Sequence, residues 1–159
     1  MEVERDPDGT LVCRNLSAFH VDTLVHLPGL LTSQDDRVRD RLLPRTYEAD
    51  EDEDQWRRYG VPDLEHLFAS RVEIINKDLE SLAQDGAVTF SLKIPERHTN
   101  AWVSSLNAAR LALFVLHELE EADMEREPDD LADFEKELAV VRIHVLAFMQ
   151  ELLLESGSV

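Results

Sequence analysis

Residues 128–154 read PDDLADFEKELAVVRIHVLAFMQELLL, and this stretch decides the fold class. Leu131, Phe134, Leu138, Val141, Val145, Phe148 and Leu152 follow at steps of three, four, three, four, three and four. That spacing holds apolar side chains on one stripe of an α-helix and is the seam pattern of helices packed at shallow angles. Beyond Leu138 the apolar surface widens through Val140, Ile143, Leu146, Ala147, Leu153 and Leu154. A helix apolar on several sides is buried among neighbours or at a subunit contact. Pro128 suits its first turn, where a missing N–H costs nothing.

Upstream, Pro95 opens a second helix running to about Leu119, with Trp102, Leu106, Ala109, Leu113 and Leu116 as its core stripe. A third spans Pro62–Asp85, with Leu64, Leu67, Phe68, Val72, Ile75, Leu79 and Leu82 on one face and Gly86 as its stop. Between them Val88, Phe90 and Leu92 alternate with Thr89, Ser91 and Lys93, the period of a strand. Its partner is expected in a hairpin over residues 1–15, turned by Asp6-Pro7-Asp8-Gly9. A helix begins after Asn15 or Ser17 and is kinked or ended by Pro28-Gly29, and a short one covers Arg37–Leu43. The expected fold class is mainly α: a bundle of four to five helices with a small antiparallel sheet of about three strands. One domain over 1–159 is expected, with the hairpin at 1–15, a core at 16–119 and the long helix at 128–154.

Charge bounds the partners. Sixteen Lys and Arg face thirty-four Asp and Glu, a net charge of −18. Such a surface repels nucleic acid and anionic lipid, and no apolar run approaches the length of a membrane span, so neither partner is expected. A basic protein partner is the complementary choice. Glu48–Asp54 carries six acids in seven positions and is expected to be exposed and mobile by mutual repulsion. Trp56, Arg57, Arg58 and Tyr59 follow directly, able to pack back on the body or to anchor a partner. Glu118–Glu137 carries eleven further acids. A cytoplasmic location is expected from the charged N-terminus and from Cys13, the single cysteine, which reads as a strand core residue.

Catalytic signatures are missing. The five glycines, at 9, 29, 60, 86 and 157, make neither phosphate-cradling loop, and there is no nucleophile elbow. Among His20, His26, His66, His98, His117 and His144 no two are four apart; Asp22 with His26, and His117 with Glu121, are the pairs that share a helical face. No cofactor and no metal are expected. Asn107, Arg110, Phe114 and His117 step by three, four and three along one face. That face reads either as a polar network fixing helix register or as a small anion or peptide-carboxylate site built on the fork of arginine.

Two strings carry a family resemblance. The first is Arg41-Leu42-Leu43-Pro44, then Tyr47, then the acidic run before Trp56-Arg57-Arg58. The second runs from Trp102 through Leu106-Asn107 to Arg110-Leu111. Over about Phe19–Leu119 the chain resembles the bacterial family catalogued as domain of unknown function 2017, known chiefly from actinobacteria. The resemblance brings no assigned biochemical activity with it. It implies a link to Clp-type regulated proteolysis, through the genes its members lie beside, and it points to Arg41, Pro44, Tyr47, Trp102, Asn107 and Arg110. The combined expectation is a non-catalytic interaction or regulatory protein, an accessory of regulated proteolysis, dimeric through its C-terminal helix. Its candidate contact residues are Arg41, Tyr47, Trp56, Trp102, Asn107, Arg110 and His117. The competing expectation is a small metal- or anion-binding enzyme or ligand-binding protein with its site near Asn107, Arg110 and His117.

Overall fold

A computed structural model describes residues 1–127 and 133–157. Strands β1 (Glu2–Arg5) and β2 (Leu11–Leu16) form the expected N-terminal hairpin, with Val3 opposite Cys13. Its turn closes with the Gly9 N–H donating to the Asp6 carbonyl at 2.9 Å, and Gly9 sits at φ +89°, open to a residue without a Cβ. Strand β3 (Ala83–Gln84) and strand β4 (Phe90–Ile94) complete an antiparallel sheet in the order β1-β2-β4-β3. The expected three strands are thus joined by a two-residue fourth. Val88, expected inside the strand, lies in the turn between β3 and β4 and is 77% exposed. In β2 a register shift falls between Cys13 and Leu16, where Asn15 takes a positive φ of 56°. The bulge leaves Asn15 in solvent and returns Leu16 to the core.

Eight α-helices lie among the described residues: α1 (Ala18–Val25), α2 (Leu27–Leu31), α3 (Asp36–Leu42), α4 (Asp50–Gln55), α5 (Val61–Leu79), α6 (Thr99–Leu116), α7 (Glu121–Glu125) and α8 (Phe134–Gly157). Ser17 caps α1, its hydroxyl accepting from the His20 N–H while His20 Nδ1 accepts from the Ser17 N–H. Pro28 does not kink one long helix. It stands in the first turn of a new one, α2, because a proline needs no N–H acceptor there. The fold is mainly α with a small antiparallel sheet, and no described helix is long and apolar enough to cross a membrane.

The core lies where the sheet, α6 and α8 meet. Leu11, Cys13, Leu16, Leu92 and Ile94 come from the sheet, Trp102, Leu106, Ala109 and Leu113 from α6, and Val140, Ile143, Leu146, Met149 and Leu153 from α8. Burial of Cys13 pushes its thiol up to about 12, which leaves it protonated and inert as a nucleophile. The heptad stripe of α8 is not the stripe that faces this core. Phe134 is 69% and Phe148 47% exposed, and Leu138, Val141, Val145 and Leu152 are half-buried. The helix has two apolar sides, and the side with Val140, Ile143, Leu146, Met149 and Leu153 fills the space beside α6. The expected start of this helix at Pro128, and Leu131 of its stripe, lie outside the described residues.

One buried carboxylate joins the layers. Asp78, near the end of α5, is 5% exposed. It accepts from Trp102 Nε1 on α6 at 2.9 Å and sits 2.9 and 3.0 Å from Nδ1 of His98, in the turn that leads into α6. Trp102 is fully buried, so its indole N–H has no access to water in place of this acceptor. Replacing Asp78 with Ala orphans both donors and is expected to lower the unfolding free energy by about 3 kcal/mol. Asp78→Asn keeps one acceptor oxygen and should lose clearly less. Urea denaturation of the two variants measures the difference.

Candidate functional site

The stretch from Pro44 to Gly60 gathers three aromatic rings at a carboxylate-rich surface, and local sequence explains how. Six acids at Glu48–Asp54 repel one another, yet four of them lie in the first turn of α4, where the positive end of the helix dipole favours negative charge. From Asp50 the run is therefore helical, and its acids other than Glu53 are exposed as expected. Glu53 turns inward and is 6% exposed. Its Oε2 accepts from the backbone N–H groups of Thr46 and Tyr47 at 3.0 and 2.9 Å, and its Oε1 from Arg57 Nε at 3.0 Å.

Arg45 grips the same loop from the other side. Its Nε donates to the Tyr47 carbonyl at 2.9 Å, and its Nη2 to the Glu48 carbonyl and to Asp50 at 2.8 Å each. The Tyr47 peptide groups are thus held from both ends, N–H by Glu53 and carbonyl by Arg45. This aims the Tyr47 ring edge-on at Trp56, with centroids 6.3 Å apart and planes at 67°.

After α4 the chain makes one π-helical turn, Trp56–Gly60. Such wide turns cost hydrogen-bond geometry and recur at functional positions. Here the turn lays the Trp56 ring against the backbone of Gly60, where an added Cβ would collide with the ring. Tyr59, on the same turn, is 68% exposed. Tyr47, Trp56 and Tyr59 line an open cavity of about 330 Å³ together with Asp52, Gln55 and Gly60. Aromatic faces are electron-rich, so rings beside a carboxylate make a surface for cations.

The other expected residues are scattered. Arg41 is exposed on α3. Trp102 is fully buried and serves Asp78, so it is a core residue with no accessible face. Asn107 is exposed. Arg110 donates to Gln150 Oε1 at 2.8 Å, Gln150 Nε2 donates to the Val103 carbonyl at 3.3 Å, and the Arg110 Nε is buried without an acceptor. This polar link between α6 and α8 fits the register-fixing reading of that face. His117 lines a separate hollow of about 240 Å³ with Thr23, His26, Gly29, Leu30, Leu113 and Arg142, and neither Asn107 nor Arg110 reaches it. Asp22 and His26 stand 3.5 Å apart on α1 and its cap, but Asp22 is taken by Arg142 at 2.7 Å. Among the described residues no group of three or more His, Cys, Asp or Glu is placed to hold a metal ion.

Sequence reading picked out Tyr47, Trp56 and, with the Trp56–Tyr59 segment, Tyr59, but missed Glu53, Arg45 and Gly60. A faint signal for Glu53 exists, since it stands four residues before Arg57 on a helical face. Backbone donation from Tyr47, helped by Thr46 and by Arg57 and opposed by burial, holds the Glu53 carboxyl below its ordinary value of 4.5. Ionised Glu53 therefore stabilises the fold. That contribution is complete above the unfolded-state value and is lost as pH falls through the lowered folded-state value. Glu53→Gln is expected to melt below the wild type at pH 7, with the two melting temperatures converging under acid conditions. Thermal denaturation by circular dichroism between about pH 7 and pH 3 reads this.

No curated protein and no solved structure matches the chain. Its residues 5–156 match the family described as Domain of unknown function (DUF2017). That match runs from the last residue of β1 through β2 and the aromatic cluster to almost the end of α8, and the protein is a member of this family.

Proposed function

We propose that this protein is a non-catalytic interaction protein that takes hold of a basic segment of a partner protein at the Tyr47–Trp56–Tyr59 surface. The observation that carries the reading is the open aromatic cavity set into the most acidic stretch of the chain. Long-range attraction from a net charge of −18 would draw in a basic segment. Rings and Asp52 would then hold one Lys or Arg side chain by cation–π contact and ion pairing. The pinned Tyr47 loop supports the same reading, because a surface held rigid before binding loses less entropy on binding. The family resemblance implies Clp-type proteolysis as the setting, which suits a protein that holds a partner without changing it.

A lysine-rich peptide is expected to bind the full chain and to quench tryptophan fluorescence, with Trp102 as the buried internal reference. Affinity should fall about tenfold or more between low and high salt, and Tyr59→Ala should weaken binding by a similar factor without loss of fold. Binding that ignores both salt and Tyr59 would exclude this surface.

A separate observation supports self-association. The stripe Phe134, Leu138, Val141, Val145, Phe148 and Leu152 keeps coiled-coil spacing and lies outside the main core, with Phe134 and Phe148 exposed and the other four half-buried. A second copy of α8 is the surface that matches this periodicity. Light scattering is expected to give twice the chain mass, and Phe148→Glu, a change at a half-exposed position, to give the monomer mass with helicity intact. A wild-type monomer at high concentration would end this reading.

A further inference from the structure

Between α2, α3, α5 and α6 runs a groove that no part of the partner-binding reading uses. Its wider end is a cavity of about 160 Å³ floored by Leu31, Val38, Leu42, Leu43, Phe68 and Val72. The Arg39–Glu65 ion pair, at 3.0 Å, stands at its rim. A narrower hollow of about 10 Å³, room for a single oxygen-sized atom, continues toward α6 and shares Leu31, Leu42 and Phe68 with the first. Arg71, Ser104, Ser105 and Ala108 complete that neck.

Two polar groups, Ser105 and Arg71, line the neck without a polar partner among the described residues. Ser105 is 1% exposed, and its hydroxyl has no hydrogen-bond partner. A buried hydroxyl left unpaired is costly, and native proteins rarely keep one without a use. Arg71 lies with its guanidinium 5.8 Å above the centre of the Phe68 ring. In a chain with about two acids for every base, Arg71 forms no ion pair among the described residues. Its forked donors are free at the mouth of an apolar slot.

We propose that this groove binds a small monocarboxylate with a compact apolar tail of about five or six carbons, since a cavity near 150 Å³ accepts a benzene-sized group. The tail fills the cavity over Leu31, Leu42 and Phe68. The carboxylate sits at the mouth of the neck beside Arg71, and one of its oxygens enters the neck to accept from the Ser105 hydroxyl. The anion enters an otherwise repulsive field because a fixed cation waits at the neck. A neutral ligand would leave Arg71 unmatched.

The test uses 4-methylpentanoate and its neutral amide on the full chain, followed by NMR titration and calorimetry. The acid is expected to bind saturably, at least about tenfold more tightly than the amide. Arg71→Gln should remove that preference while leaving amide affinity near its wild-type value, and Ser105→Ala should weaken the acid alone. Ala69→Leu, at an exposed position lining the cavity, should block both probes. Equal affinity of acid and amide for the wild type overturns the proposal, even if Arg71→Gln fails to fold. So does the lack of saturable binding below about 10 mM, an affinity too weak for a built site. Binding that survives Ala69→Leu places the ligand elsewhere and overturns it too.

Discussion

The buried carboxylate of Asp78 is the constraint on which the rest of this structure rests. It sits near the end of one long helix, α5, and receives the indole N–H of Trp102 from the next, α6, while His98 meets it from the turn that leads into α6. Two elements that share one acceptor this deep cannot slide past each other, because a shift of one residue would strand polar groups away from water. With α5 and α6 locked, the sheet has a floor to pack on through Ile75, Leu92, Ile94 and Leu106, and α8 has one face of α6 to lie along. The groove over Phe68 is the space this fixed spacing leaves where α2 and α3 do not fill it.

The same logic recurs on the surface with a second carboxylate. Glu53 is surrounded by acids that face solvent, but it alone in its run is buried, and two backbone N–H groups and an arginine receive it. A loop of polar residues would otherwise be free to move. Held by Glu53 on one side and Arg45 on the other, it presents Tyr47 to Trp56 at a defined angle. The π-turn and Gly60 then seat the tryptophan. Negative charge in this protein has two separate jobs: most of it dresses the exterior, and single buried carboxylates set the positions of neighbouring segments.

Much of the fold was legible in the chain. The strand period at 88–93, the Asp-Pro-Asp-Gly turn and the helical stripes of α5 and α6 each led to the right element, because backbone periodicity is a local property. Boundaries and faces were harder. In α8 both apolar stripes obey helical spacing, and the more regular one turned outward. Periodicity identifies a face but carries no information on which of two faces meets a neighbour. Pro28 was ambiguous for a similar reason: whether a proline breaks a helix or starts one depends on where the chain goes next.

By itself the sequence determined the class of fold, the hairpin, the strand before Pro95, the long helices α5, α6 and α8, the excess of acids and the lack of a catalytic signature, which follow from composition and short-range spacing. It did not give α4, nor β3, whose residues fall in the expected Pro62–Asp85 helix. Only the tertiary structure decided which carboxylates are buried, that Tyr59 joins Tyr47 and Trp56, and that Arg110 serves a helix contact while His117 sits apart from it. It also decided that Arg71 and Ser105, thirty-four positions apart, line one neck. Those outcomes depend on which distant segments meet. Desolvation and pairing arise only once they do, so the same aspartate can be surface decoration at one position and a structural anchor at another.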